Sequence, residues 1–80
     1  MKIQLIQGKF SSKDALELIT NMIHIKIKYH ENKIASNSSE EDIKSRESKI
    51  KRLQKELFEL RETINSNNKT LKLDGIIKIE

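Results

Sequence analysis

Apolar residues recur along this chain in two rhythms. From Met1 they alternate with polar ones, with Met1, Ile3 and Leu5 on one side and Lys2 and Gln4 on the other, the period-two pattern of a half-buried strand. Ile6 breaks the alternation and Gly8 loosens it, so the pattern predicts a short strand over residues 2–7. After Phe10 the rhythm becomes helical. Ser11 can accept from an orphan amide and Asp14 places acid in the first turn. The residues that follow, Ala15, Leu16, Leu18, Ile19, Met22, Ile23, Ile25, Ile27, Tyr29 and Ile34, spread over about half a helix circumference at 100° per residue. Ile25 to Tyr29 alternate like a strand. Two seven-residue lines nevertheless run through that stretch unbroken, Leu16–Ile23–His30 and Ala15–Met22–Tyr29, and predict a helix over 12–35.

Ser36, Asn37, Ser38 and Ser39 make a turn at 36–39, short enough to lay two helices side by side in opposite directions. Ser38 with Glu41 has capping-box spacing, and Glu40, Glu41 and Asp42 place acid on the positive end of the next dipole. The second helix, expected over 39–66, carries the chain's strongest pattern. Ile43, Ile50, Leu57 and Ile64 recur every seven residues with Leu53 and Leu60 between them, a coiled-coil seam. Opposite charges four apart, Asp42 with Arg46, Glu47 with Lys51, Arg52 with Glu56 and Lys55 with Glu59, support its solvent side. Asn65 to Asn68 end it. From 70 to 80 the alternation returns around Asp74-Gly75, a hairpin signal, so that segment reads as one kinked strand or a small hairpin.

The fold class is therefore mainly α: a single domain, 1–80, with an antiparallel, coiled-coil-like two-helix hairpin and terminal strands (β-α-α-β) that can pair antiparallel at its open end. Composition adds a constraint. Eighty residues with 35% hydrophobic content, no cysteine and no proline bury little surface and have no disulfide to compensate, so a partner is the remaining source of stability. The second helix has one narrow seam, which one neighbour satisfies. The first has two apolar lines and one intramolecular helix to cover them. The excess, Leu18, Met22, Ile25 and Tyr29, with Phe58 on the second helix pointing away from its seam, predicts a homodimer built as a four-helix bundle. The terminal strands folding back over this patch are the competing solution.

The N-terminus lacks the continuous apolar run of a signal peptide and nothing has the length of a membrane span, which places the chain in the cytoplasm with no membrane partner. No nucleophilic cysteine, phosphate loop or serine elbow is present, so no enzyme, no cofactor and no small-molecule substrate are expected. His24 and His30 are six residues apart, on different faces, and with Glu31 make no metal site. His24 falls on the polar face and His30 on the seam line. Lys26 and Lys33 interrupt an apolar line, and Arg46 occupies a seam position, where a snorkelling stem or a carboxylate across the helices would serve it. The net charge of +4 concentrates in a belt of Lys44, Arg46, Lys49, Lys51, Arg52 and Lys55 against the single acid Glu47, and Lys26, Lys28 and Lys33 fall opposite it. The reading that follows is a non-catalytic protein–protein interaction or assembly module. The alternative is a nucleic-acid-associated regulator that uses Lys44, Lys49, Lys51, Arg52 and Lys55 on phosphates.

Overall fold

A computed structural model describes residues 1–65 and 70–80 and gives the order β1 (Lys2–Phe10), α1 (Ser12–Lys33), α2 (Glu40–Asn65) and β2 (Leu71–Lys78). The helices start where the local chemistry dictates. Ser11, in extended conformation, accepts from the Asp14 amide at 3.1 Å and caps α1. At α2 the cap is Ser39, whose Oγ accepts from the Asp42 amide at 3.1 Å. The sequence pattern favours Ser38 for that place. Ser38 instead works in the turn: its Oγ accepts from the Ala35 amide and its own amide donates to the Ala35 carbonyl, both at 3.0 Å. Residues 25–29 are helical, as the seven-residue lines require. Helix α1 ends at Lys33, two residues short of expectation, where Ile34 becomes extended and donates to the Glu31 carbonyl. The segment expected at the far end of α2 beyond Asn65 lies outside the described residues.

His30 meets Arg46 near the turn, while Leu16 and Arg61 line one crevice near the other end. Contacts whose residue numbers sum to a nearly constant value define an antiparallel hairpin. Its buried core is small. Among the described residues only Ala15, Leu53, Leu57 and Ile64 are buried, while Ile43, Ile50 and Leu60 on the same seam are half-buried. The buried four lie toward the open end, while at the closed end Ile27, Ile34, Ile43 and Ile50 are half-buried beside the His30–Arg46 contact.

The strands form a two-stranded antiparallel sheet, longer than expected at its first strand. Ile6 pairs with Gly75, Gly8 with Leu73 and Phe10 with Leu71, and these six form the half-buried face. The pairing skips Leu5, a bulge that inverts the alternation. The Gln4 side-chain nitrogen fills it, 2.7 Å from Asp74 Oδ1, 2.9 Å from the Ile6 carbonyl and 3.2 Å from the Gly75 carbonyl. Asp74-Gly75 makes no hairpin: both residues pair with β1, and β2 runs straight through them. Of the two solutions open to that segment, the single strand is the one adopted. The sheet packs on α1, where Ile6, Leu73 and Gly75 share a crevice with Ile19 and Met22, and no described residue of α2 approaches either strand. The radius of gyration is 15.3 Å and the extents are 46 × 33 × 14 Å, against a radius of about 12 Å for a compact chain of this length. The molecule is a thin plate.

Candidate functional site

One surface on α1, one across α1 and α2 at the closed end, one on α2 and one on the sheet stand out. The first is the excess apolar line of α1. Leu18 is 39% exposed, Ile25 68% and Tyr29 55%. Met22, from the same line, is half-buried because β1 and β2 fold back far enough to meet it. The competing solution to the α1 patch is thus realised in part: the strands cover Met22 and leave its three neighbours open. Phe58 is open on α2 at 64% exposure.

The second surface is the closed end of the hairpin. Arg46 Nη1 lies 3.2 Å from His30 Nδ1, so the guanidinium donates to a neutral imidazole whose proton is on Nε2. The Arg46 guanidinium carbon is 6.0 Å and Lys33 Nζ 5.6 Å from the centre of the Tyr29 ring, which a cation can approach favourably. Partial burial, followed by the charges of Arg46, Lys49 and Lys26, lowers the His30 pKa from its ordinary 6.5. The sequence pattern points Arg46 to solvent or to a carboxylate. Its partner is instead His30, because the antiparallel register sets one seam position directly across from the other. Lys26 and Lys33 are exposed, and His24 is solvated on the polar face.

Lys44, Lys49, Lys51, Arg52 and Lys55 are all exposed, but they do not share one face of α2. Lys49 and Arg52 line a shallow depression with Ser45 and Ser48. Lys51 and Lys55 stand further round the helix. The structure therefore splits the belt, joining Lys49 to the cations around His30. The sequence carried the signal for that grouping in two polar residues on seam positions, His30 and Arg46, each explicable alone.

The fourth surface is the free end of the sheet. Met1, Ile3, Leu5, Ile76, Ile77 and Ile79 are between 36% and 82% exposed, and each strand of a two-stranded sheet leaves one edge unpaired. Among the described residues no group of three or more His, Cys, Asp or Glu could hold a metal ion, and no helix is long and apolar enough to cross a membrane. No protein-family model, curated protein or solved structure matches the chain.

Proposed function

We propose that the chain is a non-catalytic assembly module that pairs with a second copy of itself through α1, its two hairpins forming a four-helix bundle. The observation that carries this reading is the form of the apolar stripe, open at Leu18, Ile25 and Tyr29 and half-covered by the strands at Met22. Leu18, Met22, Ile25 and Tyr29 are spaced 4, 3 and 4, which reads the same in both directions, with Asp14 four residues before and Lys33 four residues after. Two copies related by a two-fold axis between Met22 and Ile25 set Leu18 against the partner's Tyr29 and Met22 against the partner's Ile25. The same axis sets Asp14 against the partner's Lys33. An isologous interface needs this self-complementarity. The small core supplies the driving force, since four buried residues among those described leave the isolated plate marginal.

Sedimentation equilibrium tests it. The wild type is expected to be dimeric, and Ile25→Glu monomeric with its helical circular dichroism retained. Asp14→Lys and Lys33→Glu should each weaken the dimer, and the double variant should recover it, because the swap restores opposite charges at both ends. Ile77→Lys, at the free end of the sheet, should leave the dimer intact. A monomeric wild type ends the proposal. A dimer that survives Ile25→Glu but not Ile77→Lys moves the interface to the sheet.

A further inference from the structure

The closed end of the hairpin gathers Lys26, Lys33, Arg46 and Lys49 around His30, with Glu31 and Glu47 as the chain neighbours of His30 and Arg46. Burial and the cations Arg46, Lys49 and Lys26 hold the His30 pKa below its ordinary 6.5. Lys33 and Arg46 approach the ring of Tyr29, which is 55% exposed. Arg46 uses one N–H on His30 and has four others to offer. The cations do not converge on one point, as a single bound phosphate would require. They run from Lys26 and Lys33 on α1, across Arg46, to Lys49 and Arg52 beside the Ser45 and Ser48 depression on α2. A row of separated cations suits repeated phosphates, and an exposed aromatic beside the row suits an unpaired base.

We propose that the closed end binds a single-stranded nucleic acid, with Lys26, Lys33, Arg46 and Lys49 on successive phosphates and Tyr29 against a base. A duplex keeps its base faces stacked and offers Tyr29 nothing. His30, Arg46 and Lys49 lie off the self-pairing stripe, but Tyr29 and Lys33 belong to it as well, so a nucleic-acid strand at the closed end competes there with a second copy, and binding is read on the monomeric Ile25→Glu variant beside the wild type. The proposal does not rest on the dimer.

The probe is a fluorescein-labelled 15-mer of deoxythymidine, followed by anisotropy. Four phosphate contacts on a single strand give a slope of about −3 in log affinity against log salt, roughly a 50-fold loss between 50 and 200 mM. Arg46→Gln with Lys49→Gln should halve that slope and leave roughly a sevenfold loss. Lys9→Gln with Lys72→Gln removes two charges that pair across the sheet and should change nothing. Should the first variant fail to fold, Lys26→Gln with Lys49→Gln, both at exposed positions, must show the same drop. In proton NMR the oligonucleotide should shift the His30 ring and raise its titration midpoint, because a nearby phosphate stabilises the imidazolium. The His24 ring, on another face, should keep its position. Absence of binding at 50 mM salt overturns the proposal, as does an unchanged slope in the Arg46 and Lys49 variant. Equal affinity for a duplex of the same length, equal competition by inorganic phosphate, or a silent His30 ring does so too.

Discussion

Truncating Leu57 to alanine is the sharpest test of how this plate holds together. Leu57 is 8% exposed, beside Leu53 at 7%, on the one face of α2 that meets α1. Replacing leucine by alanine removes three carbons, worth about 2.4 kcal/mol of transfer free energy at about 0.8 kcal/mol each. A residual cavity adds to this, though a thin core relaxes into the gap more readily than a deep one, so the expected cost is about 3 kcal/mol. A domain of this length is stable by roughly 4 to 12 kcal/mol, and the loss should lower the melting temperature by about 12 to 24 °C. Two neighbours calibrate it. Leu60, on the same seam but half-buried, should cost about half as much, and Phe58, 64% exposed, well under 1 kcal/mol. Urea unfolding followed by circular dichroism, at one fixed protein concentration so that self-association does not enter the comparison, measures all three. A Phe58 variant as damaged as the Leu57 variant, or a Leu57 variant within about 1 kcal/mol of wild type, would mean that α2 is rotated away from the phase that turns Leu57 toward α1.

Ser39→Ala should cost about 1 kcal/mol in the same unfolding experiment by uncapping α2, and an unchanged midpoint would assign the cap elsewhere. Gly8 has a φ of +133° with open space around it, so Gly8→Ala should be destabilising by about 1 to 3 kcal/mol through backbone strain alone, whereas Gly75→Ala meets neither strain nor a clash. His30 titrates below its ordinary 6.5 in the folded chain, and the unfolded chain therefore takes up its proton first. The stability this group contributes is complete above pH 6.5 and declines as the pH falls through that value toward the folded midpoint. Unfolding midpoints of wild type and His30→Gln, measured from about pH 7.5 to about pH 5.5, should converge over that window. A gap that widens on acidification would reverse the sign of the shift.

The helical part of the fold is legible because its signals are local. Seven-residue lines, a cluster of turn residues and a serine followed by acid each act within a few residues, and α1, the turn and α2 follow from them. The misreadings have local causes too. Ser38 and Ser39 are both competent caps, and the turn decides between them, because it needs the Ser38 hydroxyl for the Ala35 amide. Adjacent Leu5 and Ile6 look like the end of a strand. They mark a bulge within one, and with Leu5 set aside, Ile6, Gly8 and Phe10 continue the alternation. Of the candidate residues, the exposure of Leu18, Ile25, Tyr29 and Phe58 follows from an apolar surplus that the sequence shows. The strands' reach to Met22 does not, because it depends on the angle at which the sheet leaves α1.

What the sequence by itself determined is the element order and the phase of each helix, since periodicity and capping are properties of neighbouring residues. Tertiary structure decided everything that joins distant ones. Asp74-Gly75 is a turn signal when read locally, yet pairing with Gln7 and Ile6 at the other end of the chain holds it in a strand, because a whole ladder of cross-strand hydrogen bonds outweighs one dipeptide's preference. Likewise Arg46 and His30, sixteen residues apart, are two separate polar residues on seam positions until the antiparallel register places them face to face. The cationic track exists only because two helices lie side by side.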